Sequence, residues 1–315
     1  MAVYTNVTLD EVKACLKQYS IGDLLSLEGI AQGVENSNFL LKTTDNTYIL
    51  TLYEKRVKAE ELPWYLDLMT HLTGKGISCP VPVAAQDGTV LQKIAGRPAA
   101  IVTFLLGKET KEITSDQCFA VGQAMAKLHE AGQDFNQNRT NNMGVQSWEA
   151  LLNKSAGHGH DDIISEVRPI LEQVLKNWPS LDQLPIGQIH GDLFPDNVFF
   201  LKDQLSGIID FYFACTDFLA FDVAIAINAW CFTEKGQFIP IRSEQLLAGY
   251  QSVRPFTEQE KAFFPILLTG ASIRFFLSRL YDWINTPPDA LVVPKDPKAY
   301  LYRIRFHYAA QENRL

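Results

Sequence analysis

Apolar positions recur along this chain with two periods, and each predicts an element. Behind Thr8 and Glu11, which form a capping-box pair, Val12, Cys15 and Leu16 fall at helical spacing. The texture then changes. NSNFLLKTT (36–44) and TYILTLYE (47–54) are rich in β-branched and aromatic residues, with Asp45 and Asn46 between them, which predicts an antiparallel hairpin. Leu62, Tyr65, Leu66, Met69 and Leu72 share one helical face, with Pro63 in the first turn and glycines at the end. VPVAA (81–85), GTVLQKI (88–94) and RPAAIVTFL (97–105) read as three further strands. Residues up to about 104 therefore predict a five-stranded antiparallel sheet with one inserted helix.

Beyond that point the period is helical. Thr114 and Gln117 cap a helix through about Ala131, and Thr257 and Glu260 cap another. Residues 134–162, rich in Asn, Gln, Gly and His, predict a loop with one short helix near Trp148. FLAFDVAIAINAWCF (218–232) is interrupted by Asp222 and Asn228 and is too short for a membrane span, so a buried helix is expected. One exception stands inside this helical part. Val198–Leu201 and Leu205–Ile209 are short apolar runs around the turn KDQLSG, a small hairpin. Sheet gives way to helix within TFLLGKET (103–110). The expected organisation is α+β, with a sheet lobe over 1–104 and a mainly helical lobe over 105–315, a division that 315 residues also favours.

Charge narrows the partners. Lys and Arg number 28 against 36 acids, a net charge of 28 − 36 = −8, which disfavours general nucleic-acid binding but leaves room for a local nucleotide site. The five cysteines are scattered and none forms a CxxC pair, so reduced core thiols are expected. No basic stretch followed by an apolar one opens the chain, and a cytoplasmic protein with no membrane segment is the expectation.

The candidate chemistry lies in IHGDLFPDNVFF (189–200) and the following IIDFY (208–212). If the hairpin strands pair, Asn197 at the start of one lies near Asp210 at the end of the other, with Asp192 in the loop leading in. Hard divalent cations take oxygen ligands, and phosphoryl transfer needs a metal plus one more carboxylate to orient the attacking hydroxyl. Asp196 is read as solvated. A lone histidine such as His190 is more often a satisfied loop residue than a proton carrier.

His-Gly-Asp-x-x-x-x-Asn followed by Ile-Asp-Phe resembles the catalytic loop and metal motif of the aminoglycoside phosphotransferase and choline kinase-like superfamily, a small-molecule branch of the protein-kinase fold. GVENSNFLL, YILTLYEKR, HGDLFPDNVFF and IDFYFACTDFLAFDVAIAINAWCF are similar to segments of the bacterial homoserine kinases within it. The resemblance spans the chain. It implies ATP as co-substrate, Mg²⁺, and L-homoserine as the small-molecule acceptor, phosphorylated for threonine synthesis. It further implies that Asp192 orients or accepts the hydroxyl proton, that Asn197 and Asp210 hold Mg²⁺, and that His190 anchors the loop. An aspartate in this region is also implied to tie the loop down through its backbone. Asp217 suits an N-cap of the next helix equally well, and Asp222 needs a partner if buried.

By the same resemblance the phosphate loop is GVENSN, with Gly33, Asn36, Ser37 and Asn38 as donors, and adenine lies against strand backbone near Thr103 and Leu105. One departure is plain: Thr51 stands where kinases of this fold carry a strand lysine. Lys42, Lys55 and Arg56 are the nearby cations, and Glu60 and Glu61 the nearby helix acids. For the acceptor, Tyr212 and Arg274 are the candidate contacts. Arg274 and Arg279 stand five apart on an apolar helix, where each needs either the substrate or an acid such as Asp222 or Asp282. A kinase for another amino alcohol, a sugar or an aminoglycoside, and a nucleotide-binding module without turnover, are the competing readings.

Overall fold

A computed structural model describes residues 5–30, 36–54, 58–287 and 293–312. The chain divides into two compact units, one of Met1–Gly107 with Ser206–Ile209, the other of Lys108–Leu205 with Asp210–Leu315.

In the first unit, helix α1 (Leu9–Leu16) precedes strands β1 (Leu24–Gly29), β2 (Ser37–Thr43) and β3 (Thr47–Leu52), helix α2 (Leu62–Gly74), then β4 (Gln92–Ile94) and β5 (Arg97–Thr103). The strands form one five-stranded sheet in the order β1-β2-β3-β5-β4, with every neighbour antiparallel. Strand alternation sorts the two faces. Phe39, Leu41, Leu50, Leu52, Ala99 and Ile101 point to one side and form a core with Val12, Leu16 and Tyr19 of the α1 region. The ladder partners Asn38, Thr51 and Ala100 therefore share the other side.

The five strands are not all the expected ones. VPVAA is not a strand. Pro80 and Pro82 bring no backbone N–H to a ladder, and only an isolated bridge from Pro82 to Val102 forms. The fifth strand is β1, whose residues LLSLEG carry no clean alternation. It lies at the sheet edge, with Leu25 67% exposed. GTVLQKI contributes only its last three residues, as β4.

The second unit runs α3 (Ser115–Ala131), α4 (Trp148–Ser155), α5 (Asp161–Asn177), β6 (Ile186–Ile189), β7 (Val198–Leu201), β8 (Gln204–Ile208), β9 (Cys215–Phe218), α6 (Leu219–Trp230), α7 (Pro240–Gln251), α8 (Glu258–Asn285) and α9 (Lys298–Glu312). The last part of β8 groups with the first unit. The three expected capping boxes all form, at Thr8, Thr114 and Thr257. The β7–β8 hairpin is tighter than its sequence suggested. Only Lys202 and Asp203 make the turn, both at positive φ (50° and 63°), the two-residue geometry that matches strand twist. A second small ladder, β6 with β9, had no distinct signal in the sequence.

Helix α6 is buried at every position except Ala229. Among the described residues α8 alone is long and apolar enough to cross a membrane, and residues from Leu267 to Leu280 bury most of its apolar side within this unit. All five cysteines are free and buried.

Two glycines set how α3 meets α7. A Cβ on Gly122 would stand 2.1 Å from the Leu246 carbonyl oxygen, and one on Gly249 would stand 2.1 Å from that of Phe119. Backbone meets backbone here, so no side chain can swing away. Gly122→Ala is expected to destabilise the fold by about 1–3 kcal/mol through overpacking, read as a lower midpoint in urea unfolding. An unchanged midpoint would mean that the two helices separate freely.

Candidate active site

The β6–β9 ladder places Ile189 opposite Cys215, so the loop 190–197 leaves one strand beside the start of the other. Gly191 sits at φ 72°, and a Cβ there would lie 2.6 Å from the Phe213 carbonyl oxygen, so the turn accepts only glycine. The loop then closes on itself. Phe194 N donates to the Asp192 carbonyl at 2.8 Å, and Asn197 N to that of Phe194 at 3.0 Å. Asn197 Nδ2 donates to the Asp192 carbonyl at 2.8 Å and to its Oδ2 at 3.2 Å. From outside, Trp230 Nε1 donates to the Leu193 carbonyl at 2.8 Å.

His190 is fully buried, its Nδ1 accepts from Asp192 N at 3.3 Å, and its ring lies 4.9 Å from that of Phe211. Asp210 follows the hairpin at φ 65° and ψ 69°, a left-handed conformation costly for a residue with a Cβ. Strain of this kind marks sites where side-chain direction matters more than backbone comfort. The hairpin brings the residues flanking it, Asn197 and Asp210, toward one end. With Nδ2 of Asn197 spent on Asp192, its Oδ1 is left as the acceptor. An amide oxygen and a carboxylate suit a hard divalent ion that keeps water and phosphate ligands. Among the described residues no cluster of three or more His, Cys, Asp or Glu is available for a softer metal.

Burial pushes the Asp192 carboxyl up from 3.8 to about 6. Arg274 and Lys295 pull it down, Asp196 pushes it further up, and the Asn197 hydrogen bond pulls it down. Asp196 is half exposed and pairs with Lys295 at 3.5 Å.

The loop is clamped by Asp222. This wholly buried carboxylate accepts from His190 N (2.9 Å, Oδ2), Gly191 N (2.8 Å, Oδ1) and His129 Nε2 (3.0 Å, Oδ2). Burial pushes its pKa up, but the hydrogen bonds it accepts from His129 and the His190 backbone help hold it below the usual carboxylate value. Behind it, His129 Nδ1 meets the Tyr250 hydroxyl at 2.8 Å. Arg254 then links Tyr250 at 3.1 Å to Glu260 at 2.9 Å. Every bond is satisfied if Tyr250 gives its proton to Nδ1 and Nε2 carries the ring proton. Asp217 is not an N-cap. Its carboxylate accepts from Asn141 Nδ2 and from Phe218 N, and α6 begins without a side-chain cap.

The other candidates divide between the two units. Tyr212 is half-buried in the short helix after Asp210. Arg274 is buried on α8, its guanidinium 4.0 Å from the Phe275 ring centre and 5.5 Å from that of Phe213. In the first unit, Thr51 Oγ1 donates to Asn38 Oδ1 at 2.8 Å, and Ser37 Oγ to Glu54 Oε1 at 2.8 Å. Asn36 Oδ1 accepts from Glu54 N at 3.2 Å, and Thr103 Oγ1 from Val81 N at 2.9 Å. Leu105 packs over Gly207. Gly33, Lys55 and Arg56 lie outside the described residues. Lys42 pairs with Glu28 at 3.6 Å and sits opposite Thr47, away from Thr51. Glu61 pairs with Lys58 at 3.6 Å, and Glu60 is exposed. His129, Tyr250, Arg254 and Glu260 were not singled out from the sequence as site residues. His129 alone carried a signal, as a histidine on the same face of α3 as Cys118, Val121, Gly122 and Met125.

A sheet unit, a mainly helical unit with an embedded hairpin, and a loop of this form define a kinase-like phosphotransferase. The chain belongs to the phosphotransferase enzyme family, which residues 26–256 match. It is 52% identical to a homoserine kinase of Gluconacetobacter diazotrophicus, over 99% of this chain and 98% of that one. The identity to a homoserine kinase of Gluconobacter oxydans is also 52%, over 98% and 99%. Among solved structures, an amicoumacin kinase in complex with AMP-PNP, Ca²⁺ and Ami shares the fold at TM-score 0.71, with 16% identity and 96% of each chain covered. A choline kinase from Cryptosporidium parvum does so at TM-score 0.67, with 14% identity over 97% and 96%.

Asp222→Ala would leave two loop N–H groups and His129 without an acceptor in a dry interior. Each orphaned group costs about 1–3 kcal/mol, so a lower thermal midpoint and a large fall in kcat are expected together. Wild-type turnover in a folded Asp222→Ala protein would show that the clamp does not position the loop.

Proposed function

We propose that this chain is a homoserine kinase, transferring the γ-phosphoryl group of ATP to the hydroxyl of L-homoserine and releasing ADP and O-phospho-L-homoserine for threonine synthesis. The observation that carries the acceptor is the identity of about half the residues, end to end, with homoserine kinases of several bacteria. The geometry of the loop supports the reaction class.

Asp192 takes the role of orienting the acceptor hydroxyl and receiving its proton as oxygen attacks phosphorus. Asn197 holds Asp192 in place through Nδ2, and its Oδ1, with Asp210, would hold Mg²⁺, which when bound neutralises charge on the phosphates. His190 steadies the loop and takes no proton. In the sheet unit, Gly33, Asn36, Ser37, Asn38 and Thr51 are assigned to the phosphates of the nucleotide, and Thr103 and Leu105 to its adenine. Tyr212 and Arg274 are assigned to the acceptor, Arg274 to its carboxylate, since a guanidinium matches that planar anion. The work is mostly positioning and charge neutralisation.

The competing reading is a nucleotide-binding module without turnover, and Thr51 in the place of a lysine is what favours it. Phosphorylation of a panel of alcohols by the purified chain with ATP and Mg²⁺ decides. Turnover of another alcohol but not of L-homoserine removes the acceptor assignment, and ATP binding with no consumption supports the module.

Asp192→Asn is expected to lower kcat by about 10²–10⁴-fold, the range for a lost general base, while nucleotide affinity stays. Near-normal kcat would refute the assignment. The base must be ionised, so kcat/KM should fall as pH drops through about 6. Stability runs the other way. An acid whose folded pKa lies above its unfolded one is destabilising when ionised, and that penalty is fully present above about 6 and gone below 3.8. At neutral pH, Asp192→Asn should therefore melt no lower than the parent, and any gain should vanish in acid.

A further inference from the structure

Two buried donors near Asp192 have no acceptor among the described residues. Arg274 makes no hydrogen bond or ion pair among the described residues, and its Nε is completely buried. Tyr300, on α9, is 1% exposed, and its hydroxyl has no hydrogen-bond partner among the described residues. Buried polar groups are nearly always paired, so two orphans in one neighbourhood ask for a ligand. They do share a neighbourhood. The Phe275 ring lies 4.0 Å from the Arg274 guanidinium and 5.3 Å from the Tyr300 ring, and Phe275 packs on Phe194 of the catalytic loop at 4.9 Å. Asp192 acts electrostatically on Arg274, Arg279 and Tyr300 alike.

Arg279 lies 4.5 Å over the Tyr300 ring and has no ion pair among the described residues. The acids in its field are otherwise engaged: Asp196 with Lys295, and Asp296 with the backbone of Lys298. Arg303, 4.6 Å over Tyr300, is held by the Asn228 and Ala299 carbonyls. Two guanidinium groups and a hydroxyl, all donors, thus stand beside one catalytic carboxylate with no protein anion among the described residues bonded to them. An amino alcohol lacking a carboxylate would bring a further positive charge into this field, while an amino acid brings the missing acceptor.

We infer that the Tyr300 hydroxyl and the Arg274 guanidinium together seat the carboxylate of the acceptor, with Arg279 supplying further positive charge, so that the site selects hydroxy amino acids over amino alcohols. The inference rests on the homoserine kinase reading for the acceptor, and Tyr300 and Arg279 are its new members. Tyr300 is a specificity residue, not a proton carrier.

The test is calorimetric binding to the full chain without nucleotide, which needs no turnover. L-Homoserine should bind, and 3-amino-1-propanol, the same molecule without its carboxylate, should bind far more weakly or undetectably. Equal affinities would overturn the seat. Tyr300→Phe, which keeps the ring and its packing, should weaken L-homoserine binding about tenfold, as expected for one lost hydrogen bond to a charged group. In the steady state its KM should rise by a similar factor, with kcat within about threefold. A fall in kcat at unchanged KM, or no change in affinity, would assign Tyr300 a packing role and overturn the proposal. Arg279→Gln should weaken L-homoserine in the same direction, and unchanged affinity there would remove Arg279 from the seat. Binding of L-homoserine without its phosphorylation would instead count against the kinase reading and leave the seat standing.

Discussion

The arrangement of the loop 190–197 depends on one buried carboxylate. Asp222 lies in a helix with almost no exposed surface, and an isolated charge there would cost several kcal/mol. It is tolerable because three donors converge on it, two of them backbone N–H groups of the loop itself. The exchange is mutual. The loop cannot leave without stranding a charge, and the charge is stable only while the loop stays. His129, Tyr250, Arg254 and Glu260 extend the same network to α3, α7 and the start of α8, where Glu260 also closes the capping box. Helix packing and loop geometry are therefore one cooperative unit rather than a scaffold with a site attached.

Against that fixed frame, the groups proposed to act on the substrates are left uncomfortable. Asp192 carries a carboxyl that burial biases toward the neutral form, Asp210 sits in a left-handed backbone conformation, and Arg274 Nε and the Tyr300 hydroxyl lack acceptors among the described residues. Each is a cost that a better-satisfied core would not carry. The costs concentrate where substrates are proposed to bind, as expected if polar groups are held ready for charges that arrive with the ligand.

How much of this was legible in the sequence follows from the range of the interactions. The capping boxes are local, and all three could be read from residues three apart. The buried α6 and the β7–β8 hairpin were legible because their apolar runs are continuous. The sheet was legible in its strand number but not in its membership. LLSLEG lies at an edge, where one-sided pairing needs no alternation, and VPVAA has the composition of a strand without the N–H groups of one. The loop residues could be found because their spacing is a motif. The clamp could not be assigned between Asp217 and Asp222, since that choice depends on where α6 starts in space. The pairing of His129 with Asp222 spans 93 positions, and Tyr300 lies 108 positions after Asp192. No local pattern encodes either.

The glycine contact between α3 and α7 has a bearing on anyone who would engineer this protein. Helical glycines are the first positions a stabilisation protocol replaces, because alanine is the better helix former and restricts the unfolded chain. At Gly122 and Gly249 that reasoning changes sign, since each missing methyl is the space occupied by the other helix's carbonyl. A library built from helix propensity alone would spend its early members on two positions with no room for a side chain. These two positions are better held fixed and the search moved to the exposed faces of the same helices.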